Sequence, residues 1–122
     1  VKRILLVDDE AKLRSAIRRM LEPLGLEIEE AADGYEALRS YRSCHAELVI
    51  CDVFMPDKDG LELISVLKKE FDEVKILAIS GGGFDGTMDL LPTALHFGAT
   101  EILQKPFKQE DLLEKVKALL EQ

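Results

Sequence analysis

The chain has 122 residues and 47% hydrophobic content, which suits one compact domain spanning residues 1–122 with a real core and leaves no room for a second. Its 24 acidic residues outnumber 16 basic ones, for a formal net charge of −8, and no Lys/Arg cluster is present; direct binding to a phosphate backbone is therefore not expected. No apolar run is long enough to span a bilayer, and the N-terminus lacks the basic and apolar segments of a signal peptide, so the expectation is a soluble, cytoplasmic protein without membrane insertion.

Along the chain, short apolar runs alternate with segments of helical period. Ile4 to Val7 reads as a first strand, and Leu13, Ala16, Ile17, Met20, Leu21 and Leu24 then recur at helical spacing until Gly25 supplies a stop. Leu26 to Ala31 is a weaker, partly alternating strand. Asp33 followed by Glu36 has the form of a capping box opening a second helix that runs to about Ser43. Leu48 to Cys51 is a third strand ending on Asp52, and a helix carrying Leu61, Ile64 and Leu67 follows. Val74 to Ile79 is the fourth strand; beyond the glycine-rich stretch GGGFDG a fourth helix is expected over about residues 87 to 97, with Pro92 in its first turn. Thr100 to Gln104 is the fifth strand. Leu112, Leu113, Val116, Leu119 and Leu120 form the apolar stripe of a last helix. Cys44 near a helix end and Cys51 within an apolar strand do not suggest a disulfide and read as structural thiols.

Five consecutive βα units imply an α/β fold: a doubly wound parallel sheet with helices on both faces. Strands one, three and four are continuously apolar and belong at the centre, whereas Glu27, Glu29, Glu101 and Gln104 mark strands two and five as edges. The order 2-1-3-4-5 satisfies this and is the known flavodoxin-like arrangement, in which ligands bind beyond the carboxyl ends of the strands. At those ends lie Asp8, Asp9 and Glu10, then Asp52, Ser80, and Lys105 followed by Pro106. Crowded carboxylates repel one another and call for a cation; Mg²⁺ suits oxygen ligands and pairs naturally with a phosphate-bearing substrate. Asp52, at the end of the buried strand, is the best-placed nucleophile for forming an aspartyl phosphate.

Taken together, LLVDDE at the first strand, DVFMPDKDG after the third, ISG at the fourth and LQKPF at the fifth resemble the receiver domains of two-component response regulators, over the whole chain and in the manner of the chemotaxis regulators. That resemblance implies that Asp52 is the phosphoacceptor and that Mg²⁺ is held by Asp8, Asp9, Asp52 and the backbone carbonyl of Phe54. Ser80 would contact the phosphoryl group and Lys105 would pair with it. It further implies a phosphohistidine donor on a sensor histidine kinase or histidine phosphotransfer protein, slow autodephosphorylation, and no other enzymatic activity. A downstream target or output domain would be engaged through the face of the fourth helix, fifth strand and fifth helix. Pro106 is expected to follow a cis bond. Ile102 departs from the family, which usually has Tyr or Phe three residues before the lysine.

Each of these residues also has a plainer explanation. Acidic residues at a helix start serve as caps, Ser80 could open a turn before three glycines, and Lys105 could be solvated. Their coincidence at one rim weighs against that. His45 and His96 lack a ligand partner at metal spacing and read as surface histidines. A Mg²⁺-dependent phosphohydrolase is the competing enzyme reading, but such enzymes typically place a second Asp two residues after the nucleophile, where this chain has Phe54. A flavin carrier is disfavoured because Asp8 and Asp9 would repel the flavin phosphate. A module that is never phosphorylated would have no need of the complete acidic, hydroxyl and lysine set.

Overall fold

The computed structural model describes residues 2–53, 59–80 and 91–122. Within them the elements are β1 (Arg3–Val7), α1 (Ala11–Leu21), β2 (Glu27–Ala31), α2 (Gly34–Ser43), β3 (Leu48–Asp52), α3 (Asp59–Glu70), β4 (Ile76–Ser80), α4 (Leu91–Phe97), β5 (Glu101–Gln104) and α5 (Gln109–Glu121). All strand pairs are parallel, and the sheet order is β2-β1-β3-β4-β5, the flavodoxin-like order expected for strands with these apolar centres and polar edges. Every residue of the inner strands β3 and β4 is buried, because helices cover both faces.

Alternation along the strands divides the interior into two cores. Ile4, Leu6, Leu48, Ile50, Leu77, Ile79 and Leu103 pack with Ile17 and Leu21 of α1 and with Leu112, Val116 and Leu119 of α5. On the opposite face, Leu5, Val7, Val49, Cys51, Ile76 and Ala78 meet Ala37 and Tyr41 of α2, Leu61, Ile64 and Leu67 of α3, and Ala94 of α4. At about 1.5–3 kcal/mol for each fully buried large aliphatic side chain, these two layers are the main force holding the strand ends in place.

Several boundaries differ from the sequence expectation. The first helix stops at Leu21, and Glu22–Leu24 form a single 3-10 turn, since Pro23 cannot donate an α-helical hydrogen bond. Gly25 then takes a left-handed conformation with φ 64°, the stop anticipated at that position. Ala16, expected on the apolar stripe of α1, is exposed, and the half-buried position beside Leu13 is taken by Arg14. β4 begins at Ile76 rather than Val74, whose N–H donates to Phe71 O in the turn closing α3. β5 begins at Glu101; Thr100 adjoins it through its hydroxyl, which accepts from the Ile76 N–H at 3.1 Å. For the fourth helix the described part is Leu91–Phe97, and the earlier turn expected from residue 87 lies outside the described residues, as does GGGFDG. Asp33 caps α2 as its sequence suggests, accepting from the Glu36 N–H at 2.9 Å. Cys44 and Cys51 are both free, the first exposed and the second buried, where desolvation pushes its thiol pKa upward. His45 and His96 are exposed, with the His45 ring stacked on Tyr41. None of the described helices is long and apolar enough to cross a membrane.

Candidate functional site

The strand register determines which side chains meet at the carboxyl edge. Val7 is level with Cys51, so Asp8 and Asp52, the next residues, lie side by side on β1 and β3. Asp52 is level with Ile79, which sets Ser80 one step beyond it on β4, and Ser80 is level with Gln104, immediately before Lys105. Four residues separated by up to 97 positions in sequence thus meet on neighbouring strands. Asp8, Asp52 and Ser80 are the buried polar side chains among the described residues, and Asp9 and Glu10 are exposed beside them.

Lys105 Nζ donates to Asp52 Oδ2 at 3.2 Å, an ion pair in which the carboxylate is almost fully enclosed. The backbone around the lysine is fixed from both sides: its N–H donates to Ser80 O at 2.8 Å, and the following Lys105–Pro106 bond is cis, as expected. Beneath Asp52, the Val53 N–H continues the ladder onto Ile79 O at 3.0 Å.

Asp8 is held through both its main chain and its side chain. Its N–H donates to Ala31 O at 3.1 Å, its carbonyl accepts from Arg14 Nη1 at 2.5 Å, and its Oδ1 accepts from the Glu10 N–H at 2.9 Å. Among the described residues, Oδ2 makes no hydrogen bond although it is buried. Burial, followed by the neighbouring charges of Asp52 and Asp9, raises the Asp8 pKa from 3.8 to about 6, against the opposing pull of the Glu10 N–H and Lys105. A buried carboxylate oxygen with no donor among the described residues, beside a second buried carboxylate, could accept a small hard cation. Among the described residues no group of three or more acidic, His or Cys side chains is placed to hold a metal ion. That is compatible with an ion such as Mg²⁺, which commonly retains several waters and uses one or two carboxylates. Phe54, the expected carbonyl ligand, lies outside the described residues.

Two residues that the sequence reading passed over help to build this edge. Gly60, near the start of α3, lies so close to β3 that a Cβ there would fall 2.5 Å from both Asp52 O and Val53 Cα. The glycine of DVFMPDKDG was its signal. Arg14 links Asp8 to Glu30 of β2 through an Nε to Oε1 bond of 3.0 Å, and its signal was a charged residue within the apolar stripe of α1.

Residues 4–117 match the family model described as the response regulator receiver domain. Response regulator MprA of Mycolicibacterium vanbaalenii is 39% identical over 118 residues, covering 97% of this chain and 50% of that protein. The probable transcriptional regulator ycf27 of Cyanophora paradoxa is 37% identical over 119 residues, covering 98% and 48% respectively. This chain therefore spans about half the length of the curated relatives it matches. Among solved structures, the receiver domain of NtrX from Brucella abortus superimposes with a TM-score of 0.87 at 32% identity, covering 97% of this chain and 98% of that one. These similarities favour a regulatory domain over a phosphohydrolase. On sequence, fold and the arrangement of its carboxyl edge, the chain belongs to the response regulator receiver domain family.

Proposed function

We propose that residues 1–122 form a single receiver domain that takes a phosphoryl group onto Asp52 from a phosphohistidine of a sensor kinase or phosphotransfer protein, in the cytoplasm. The observation that carries this reading is the Lys105 Nζ to Asp52 Oδ2 contact of 3.2 Å beside the buried Asp8 Oδ2, which has no hydrogen-bond partner among the described residues. A carboxylate oxygen of Asp52 attacks phosphorus in line; the new P–O bond forms as the P–N bond breaks, and the imidazole keeps the electron pair. Lys105 moves from pairing with the carboxylate to pairing with the phosphoryl oxygens, and the Ser80 hydroxyl donates to one of them. Asp8, Asp9, Asp52 and the Phe54 carbonyl would hold Mg²⁺. When bound, the ion neutralises charge on the transferring phosphoryl group. Hydrolysis of the acyl phosphate resets the domain, and no further enzymatic activity is assigned to it.

The resulting signal would reach a downstream target or output domain through the face of α4, β5 and α5, by favouring one of two packings of that face. Incubation with acetyl phosphate followed by intact-mass measurement tests the reaction. One hydroxylamine-labile phosphoryl adduct, formed with Mg²⁺ and lost when the metal is chelated, is expected; an adduct indifferent to Mg²⁺ would reject the reading.

A further inference from the structure

Asp8 is fixed at three of its four polar atoms, and the most heavily connected of those three contacts comes from Arg14. The Arg14 guanidinium reaches the Asp8 carbonyl through Nη1 at 2.5 Å and Glu30 Oε1 through Nε at 3.0 Å. Arg18 Nη1 holds the other Glu30 oxygen at 2.6 Å. Arg14, followed by Arg18, keeps the Glu30 carboxyl below its ordinary range, so Glu30 is an anion throughout the neutral range. Glu30 immediately precedes Ala31, whose carbonyl accepts from the Asp8 N–H. A closed path therefore runs from the Asp8 carbonyl through the guanidinium to β2 and back to the Asp8 amide.

This arrangement stands apart from ordinary surface ion pairs. The Arg14 side chain is only 16% exposed and one of its donors is committed to main chain. Alternation along β2 explains the contact: Ile28 and Glu30 face α1, and Ile28 joins the core below while Glu30, one step nearer the site, meets the two arginines. With its planar fork, arginine reaches the carbonyl and the carboxylate through two separate nitrogens, Nη1 and Nε, whereas a lysine has a single ammonium nitrogen to place between them.

We propose that Arg14, braced by Glu30, is a positioning residue for cation binding: it fixes the peptide plane of Asp8 and so aims Asp8 Oδ2, and the adjoining Asp9, at the site. The inference rests on the Mg²⁺ reading above. Its partner Arg18 touches Glu30 but makes no contact with Asp8 among the described hydrogen bonds, which provides an internal control.

The test is a Mg²⁺ titration followed by amide NMR on wild type, Arg14→Met, Arg14→Lys and Arg18→Met, with urea denaturation in the absence of metal to record the stability of each. Arg14→Met is expected to weaken Mg²⁺ binding about tenfold, the low end for outer-shell partners because Arg14 acts on main chain, while Arg18→Met stays within about twofold of wild type. Arg14→Lys, which offers one ammonium nitrogen in place of the two spaced guanidinium nitrogens, should fall between them. Should Arg14→Met fail to fold, Arg14→Lys against Arg18→Met supplies the same contrast. Equal affinity in the Arg14 variants and wild type, or equal loss in the Arg14 and Arg18 variants, would overturn the positioning role while leaving the Mg²⁺ reading intact. Absence of saturable binding in wild type would overturn both.

Discussion

Replacing Asp8 by Asn should make the metal-free protein more stable at neutral pH. The reason lies in its pKa, raised from 3.8 to about 6 chiefly by burial. A carboxyl that binds its proton more tightly in the folded than in the unfolded state costs stability that builds up as pH rises from the unfolded value of 3.8 and is complete above the folded value of about 6, where the native protein must hold an anion in an unfavourable place. The displacement corresponds to about 3 kcal/mol at full ionisation. Asn retains an oxygen to accept from the Glu10 N–H but carries no charge beside Asp52, so a gain of about 1–3 kcal/mol is expected at pH 7.5. The gain should shrink as pH falls from the folded value of about 6 and be small by about pH 4, close to the unfolded value of 3.8, where wild-type Asp8 is protonated in the folded protein and largely so in the unfolded chain. Urea denaturation of wild type and Asp8→Asn across this range measures it. Mg²⁺ should reverse the ranking, since binding stabilises the wild-type carboxylate and the variant has lost that ligand. A destabilised Asp8→Asn at pH 7.5 without metal, or a gain unchanged between pH 4 and 7.5, would refute the assignment of Asp8 as a strained anion.

Gly60→Ala should cost about 1–3 kcal/mol in the same urea assay, because its Cβ would overlap Asp52 O and Val53 Cα rather than a movable side-chain end; no measurable loss would mean that α3 is free to withdraw from β3. Lys105→Ala should raise the Asp8 titration above its value of about 6, since Lys105 is one of the two groups pulling it down, and should leave Mg²⁺ binding largely intact while removing the response to a phosphoryl mimic. NMR pH titration of the Asp8 carboxyl and beryllofluoride difference spectra read these effects. Ile102, half-buried and packed on the core between the sheet and α2–α4, should keep one rotamer when beryllofluoride is added, because its branched side chain is stiff about χ1; side-chain methyl NMR showing a large rotamer change would contradict this.

How much of this architecture was legible in the sequence depended on the kind of information required. Uninterrupted apolar runs at Leu48 to Cys51 and near Leu77 marked the central strands, and Glu27, Glu29 and Gln104 marked the edges; the order itself came from matching that division to the known flavodoxin-like pattern. The rim residues Asp8, Asp52 and Ser80 were legible in a similar way, each being the first polar group after an apolar run, whereas Lys105 follows Gln104 and was placed by the strand end and the motif around it. Pro23 was visible too, yet the periodicity of Leu21 and Leu24 masked its effect on the last turn of α1. Arg14 and Gly60 were harder to identify because their roles are three-dimensional. Arg14 contacts a residue six positions earlier and another sixteen later, and the need for glycine at position 60 exists only because α3 approaches the backbone of β3. The raised Asp8 pKa likewise comes first from its burial in the folded protein and then from the charge of Asp52 on a neighbouring strand, neither of which a local pattern encodes.

The central claim is that Asp52 is the acceptor. Wild type and Asp52→Asn should be treated with acetyl phosphate and Mg²⁺, the acyl phosphate trapped by borohydride reduction, and the modified position located by peptide mass spectrometry. The amide preserves the volume of the side chain and its place at the end of β3 while removing the nucleophile. Modification confined to position 52 in wild type and absent from the variant is the predicted result; equal modification of the two proteins, or trapping at Asp8 or Asp9 in wild type, would contradict it.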